Sequence, residues 1–265
     1  MPGVQRRWRD TRQRQADVCV LPVELQAALP HDEPVQWDEK TRQAMEVALN
    51  EADVLGIRLE PSGAWCDLLL HVLALPETGP IDPDARRILR LNRPARVRIL
   101  LRPDRMEAAG YGPVIPLPSL DAVEDFFTSL SWSGSMYGWK FLDDPSLTHD
   151  WPARPSLTVD IRQAPGSHSL FWFNECGRRE GDMTVAYCID GTVTFEDLEV
   201  LRADATPQPL DAFIAEGHRY WHALYSHDER LSVQAQRAAQ DGTPSWRPYV
   251  GNAVTIGGPI QRPRD

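Results

Sequence analysis

LTVDIRQAPGSHSLFWFNECGRREGDMTVAYCIDGTVTFEDLEVLRAD, residues 157–204, decides how this chain is read. Leu157, Val159 and Ile161 alternate with polar residues, the period of a strand with one buried face. Ala164-Pro165-Gly166 supplies a turn, and Leu170–Phe173 reads as the returning strand. Farther on, Asp190-Gly191 lies between Val185/Tyr187/Ile189 and Val193/Phe195, the pattern of a two-residue type I′ hairpin. The apolar phase then slips from Val193/Phe195 to Leu198/Val200, which predicts a β-bulge near Glu196-Asp197. A helix follows from about Leu210 to Ser226.

About a hundred residues earlier the chain runs through a similar order: VLGIRLEPSGAWCDLLLHVLAL (54–75), RRILRLNRPARVRILLRPD (86–104), then a helix opening at Leu120. Pro61-Ser62-Gly63 is the turn of the first pair, and Arg87–Leu91 with Arg96–Arg102 forms the second. The copies share I-R at 57–58 and 161–162, L-R at 101–102 and 201–202, and L-D-A at 120–122 and 210–212. The expected fold is therefore α+β, with two sequence-related β-rich units, each of hairpins plus a packed helix, arising by internal duplication.

Five segments follow from this reading. Residues 1–36, Arg/Gln-rich and then broken by prolines, form a weakly ordered extension. Residues 37–131 are the first unit, with Asp38 capping an opening helix, and 132–151 an aromatic connector with alternating Tyr137, Trp139 and Phe141. Residues 152–240 are the second unit, and 241–265 a Gly/Pro-rich tail.

Composition bounds the function. A net charge of −10 argues against a general nucleic-acid binder, which needs clustered positive charge, and suits a basic protein partner. No apolar run approaches the ~20 residues of a membrane span. Residues 16–30 lack an uninterrupted signal-peptide core, so the cytoplasm is the expected compartment. The basic residues are 26 Arg and 2 Lys, a bias that points to a GC-rich bacterial coding sequence. Cys19, Cys66, Cys176 and Cys188 form no CxxC pair, and the last three sit in β segments as inert thiols.

Asp211, His218 and His222 share one stripe of the helix at 210–226, the histidines one turn apart as two metal-ligating imidazoles would be. Arg219 stands where an HExxH motif needs glutamate, and spacing supplies no third ligand; an amphipathic helix edged by histidines explains the pattern without a metal. No cofactor is implied, since GxGxxG, P-loop and GxSxG motifs are missing. Asp143, Asp144, His149 and Asp150 place carboxylates beside a histidine, as acid–base chemistry requires, although Asp144-Pro145 equally reads as a helix cap. Residues 86–105 carry eight arginines against one acid, among them Arg96 and Arg98, and form either an anion site or one side of an internal charged boundary. The connector, with Trp132, Tyr137 and Trp139 near Asp143, Asp144 and His149, is the expected interface if its rings are exposed.

In outline, a duplicated small β domain in an acidic chain resembles the immunity-type proteins that neutralise toxins, though no residue motif carries the likeness. The expected function is a non-enzymatic protein-binding or neutralising module. A metal-dependent hydrolase using His218 and His222, and a binder of a small anionic ligand between the units, are the alternatives.

Overall fold

Local chemistry sets the helix boundaries. Asp38 accepts the Thr41 amide at 2.7 Å and starts α1 (Glu39–Leu49), which buries Met45, Ala48 and Leu49. Ser119 does the same for α2 (Leu120–Thr128) through the Ala122 amide, with Val123, Phe126 and Phe127 turned inward. The third helix, α3 (Leu210–Ser226), ends at His227 in the left-handed conformation, φ 58°.

The computed structural model describes residues 37–82, 84–107, 110–134, 138–143, 154–163, 167–233 and 235. The proposed extension at 1–36 and tail at 241–265 lie outside the described residues. Thirteen strands are described. The first half holds β1 (Asp53–Leu59), β2 (Trp65–His71), β3 (Arg86–Asn92), β4 (Arg96–Pro103), β5 (Met106–Glu107) and β6 (Gly110–Tyr111). The second holds β7 (Leu130–Gly134), β8 (Lys140–Phe141), β9 (Leu157–Asp160), β10 (His168–Glu180), β11 (Met183–Phe195), β12 (Asp197–Arg202) and β13 (Pro207–Gln208).

The protein is α+β, with antiparallel sheets. One sheet has the order β1-β2-β3-β12-β13 and the other, six-stranded, the order β7-β10-β11-β4-β9 with β8 also pairing with β10, while β5 and β6 pair with each other. Both sheets turn their apolar faces to a single core, filled by Ile57, Leu68 and Leu89 from the first and Val97, Trp172 and Ile189 from the second. Met45, Leu49 and Phe127 cap it from the helices. The buried Asn174 of β10 exchanges hydrogen bonds with the backbone of Val54 in β1, joining the sheets at one end.

Three expectations from the sequence change here. Asp190-Gly191 is not a turn but the middle of β11, which runs unbroken for 13 residues. The reversal falls instead between Glu180 and Met183, where Gly181 takes φ 61°, the sign that the first position of a II′ turn demands. The phase slip at Glu196 is not a bulge. It marks the passage of the chain from one sheet to the other, β11 in the second and β12 in the first. Lastly, β3 does not pair with β4, nor β9 with β10.

β3 and β4 part in the same way, one to each sheet, so the two crossings lie against each other. Ala95 donates its amide to the Thr194 carbonyl (2.7 Å) and Glu196 to that of Asn92 (3.1 Å). The Glu196 carboxylate holds Arg93 at 2.6 Å and Arg162 at 3.0 Å over the crossing.

Candidate functional site

The face formed by α1 and α3 begins with a missing side chain. A Cβ on Gly217 would lie 2.6 Å from the Ala48 Cα, so only glycine lets α3 sit this close on α1. One turn-side of α3 is fastened to the first sheet. Arg87, buried on the core face of β3, donates to Gln208 at 2.7 Å and to Glu216 at 3.3 Å, and Gln208 donates to the same Glu216 carboxylate at 2.8 Å. The Leu75 amide reaches the Glu216 carbonyl, and the Arg219 guanidinium returns to the Leu75 carbonyl.

With Phe213, Gly217 and Ala223 inward, the other side of α3 presents rings and histidines to solvent. Trp221 donates its indole N–H to the Val47 carbonyl of α1 at 3.1 Å, and its ring lies 6.4 Å from that of Tyr225. Tyr225 is 78% exposed and Val47 40%. The sequences of this helix layer, 38–51 and 210–231, hold eight carboxylates against four Lys or Arg.

Asp211, His218 and His222 are exposed here. His218 Nε2 is 3.2 Å from the Ala44 carbonyl, and Asp211 accepts the Ala212 amide at 2.8 Å. Among the described residues no group of three His, Cys, Asp or Glu could hold a metal ion.

The connector divides. Trp139 is 5% exposed and donates to the Ala52 carbonyl at 2.9 Å, so its ring is packing. Trp132 lies in β7; Tyr137, Asp144 and His149 lie outside the described residues. Asp143 has a histidine partner, and it is His168 of β10: Nδ1 stands 2.9 Å from Oδ2, while Oδ1 accepts the Ser169 amide. Arg42 of α1 approaches the same carboxylate at 3.4 Å, and the imidazole packs between Trp37 and Phe195. The sequence offered no signal for a pairing across 25 residues and a loop.

The arginines of 86–105 are largely balanced within the fold. Arg86, Arg87, Arg90, Arg93, Arg96 and Arg102 pair with Asp84, Glu216, Asp67, Glu196, Asp160 and Asp190. Glu196, from the second half of the chain, is the partner of Arg93. Arg58 and Arg90 also stack on Trp65, with 5.1 and 4.3 Å to its ring. Arg98 has its pKa lowered by burial first and by Arg96 next. Such a face has little charge left for an anion.

Cys66, Cys176 and Cys188 are free thiols in the interior. Burial pushes all three pKa values up, that of Cys188 to about 12, so none supplies a thiolate.

Comparison with protein families, with curated proteins and with solved structures found no match. Among the described residues, no helix is long and apolar enough to cross a membrane.

Proposed function

We propose that this chain is a cytoplasmic, non-enzymatic module that docks a basic protein partner through the α1–α3 face and, in the immunity-like case, neutralises it. The observation that carries the reading is the ridge of exposed Tyr225 and Val47 with the half-buried Trp221 between them, on a helix pair locked by Gly217. Rigid rings bury a large area on docking at little entropic cost, and an acidic surround steers a basic surface toward them. The interface expected at the connector moves, in this reading, to α3, because Trp139 is spent on the core while Tyr225 is not.

The test compares wild type with Tyr225→Ala and, as a control elsewhere, Met183→Ala, whose side chain is also largely exposed. Each is immobilised, exposed to lysate of its own host, and the retained proteins are identified and assayed for direct binding. A basic protein bound by wild type and by Met183→Ala, released by salt, and lost from Tyr225→Ala at unchanged melting temperature is the expected result. Identical capture by all three sinks the proposal.

The internal duplication belongs to the same proposal, but with the repeat starting at the helix. β1 pairs with β2 while β9 does not pair with β10, so the first hairpins expected of the two units do not match, and the shared I-R at 57–58 and 161–162 falls out of register. α1, β1, β2 and β3 precede β4, which leaves for the other sheet; α2, β7, β10 and β11 precede β12, which leaves in the opposite sense. The first four positions of the two sheet orders then correspond, while β8, β9 and β13 all come from the second half and have no counterpart in the first. The shared L-R lies at the end of β12 and one residue before the end of β4, and the shared L-D-A opens each helix that follows.

A further inference from the structure

We propose that the outer face of the first sheet is a docking surface for this chain's own C-terminal segment, residues 236–265. Strand register builds the face. Leu69, Ile88 and Leu201 lie side by side across β2, β3 and β12, with Leu55 of β1 next to them. Their sequence neighbours Leu68, Leu70, Leu89 and Val200 point into the core, so this row points away from it.

A side chain on the outside of a sheet is shielded at its flanks by the adjoining rows, but its top stays open to water unless something lies over the sheet. Leu55, Leu69, Ile88 and Leu201 are nevertheless only 0, 6, 1 and 3% exposed. Arg58 and Asp67, paired in the next row, are buried too. Among the described residues, the hydrophobic side chain packed against the four is that of Ala205, and one methyl group cannot roof four branched side chains. A cover is missing, and the chain has a segment that fits it.

The path of the chain selects that segment. Leu231 packs with Leu75 and Ala223, and Arg230 donates to the Pro76 carbonyl at 3.2 Å. Leu75 and Pro76 follow closely on His71, the last residue of β2, and Leu69–Ile88 lies one outward-facing pair in from His71–Arg86. Residues 236–265 therefore begin near the face, and about six extended residues are enough to cross the ~19 Å width of five strands. Their chemistry suits it. From Pro248 to Ile260 there is no charged residue, and Val250, Val254, Ile256 and Ile260 offer apolar side chains to an apolar row. Residues 1–36 are the rival occupant, but they lead into Trp37, which packs on Phe141 and His168 of the second sheet. The face shares no residue with the α1–α3 ridge, so either proposal can fail alone.

Hydroxyl-radical footprinting of the full chain, read residue by residue by mass spectrometry, tests the docking, because Leu68 and Leu69 report on opposite faces of one strand. Wild type is compared with Val254→Asp/Ile256→Asp and with Val18→Asp/Val20→Asp, which charges the apolar run of the rival segment. Oxidation of Leu69, Ile88 and Leu201 should rise several-fold in the first variant and stay at the wild-type level in the second, with Leu68 and Leu89 protected throughout. Should the aspartates unfold the chain, seen as oxidation of Leu68 as well, Val254→Thr/Ile256→Thr carries the same comparison. An unchanged row in the C-terminal variants overturns the proposal. A rise confined to Val18→Asp/Val20→Asp overturns it equally and gives the face to residues 1–36.

Discussion

Trp172 is fully buried, and its indole lies across Gly191, the residue opposite it on β11. A Cβ at that position would stand 2.2 Å from Trp172 Cε2. Asp190-Gly191 therefore looks like a turn in sequence for a reason unrelated to turns: the glycine makes room for a ring, and the aspartate faces outward between two arginine-bearing strand positions. Asp190 also yields a pH signature. Its carboxyl, raised from 3.8 to about 6, holds a proton more tightly in the folded chain than in the unfolded one. The stability this contributes is fully present below about pH 4 and is lost as pH rises through about 6. Urea unfolding across that window should show wild type losing stability relative to Asp190→Asn as pH rises. A difference that stays flat with pH would mean that the carboxyl is not held in this environment.

At the level of elements, two effects of opposite sign meet at Gly217. Replacing a helical glycine by alanine ordinarily stabilises by about 1 kcal/mol. Here the new methyl would press on the Ala48 backbone at 2.6 Å, and neither helix can yield freely, because Trp221 and Glu216 tie α3 to α1 and the sheet. Overpacking of this kind costs about 1–3 kcal/mol. Packing should win: Gly217→Ala is expected to lower the unfolding free energy, read from chemical denaturation, and an increase would show that α3 has room to move off α1. The starts of α1 and α2 were legible in sequence because their caps are local, Asp38 to Thr41 and Ser119 to Ala122, while α3, without a side-chain cap, was legible from its apolar period. The Gly217–Ala48 contact was not, since nothing in α3 states which helix it meets.

For the whole molecule, the exchange of β4 and β12 makes the two halves interdependent. Among the described residues β4 pairs with β11 and β9, both from the second half, and β12 finds β3 of the first. Residues 37–119 alone would carry β4 without a partner, with an apolar face and open backbone edge exposed. We expect fragments 37–119 and 120–233 to be unfolded or aggregated when expressed separately, and to recover native-like circular dichroism when co-expressed. A well-dispersed NMR spectrum from either alone would contradict the exchange.

What the sequence determined by itself is what depends on neighbours a few residues away: the helix starts, the extents of β3 and β4, and the inward phase of β9. Its net charge of −10 also needs no fold to be read. The tertiary structure alone decided which strands pair, which tryptophan is enclosed and which histidine Asp143 meets. Alternation shows that a residue faces a core, yet any apolar strand satisfies it as a partner. β1 meets Asn174 across 120 residues of chain and Arg102 meets Asp190 across 88, separations over which no local pattern carries information. Trp139 and Trp221 look alike in sequence. One is enclosed because β8 lies against α1 and β10, and the other stays at the surface because Gly217, four residues before it, brings the inner side of α3 down onto Ala48.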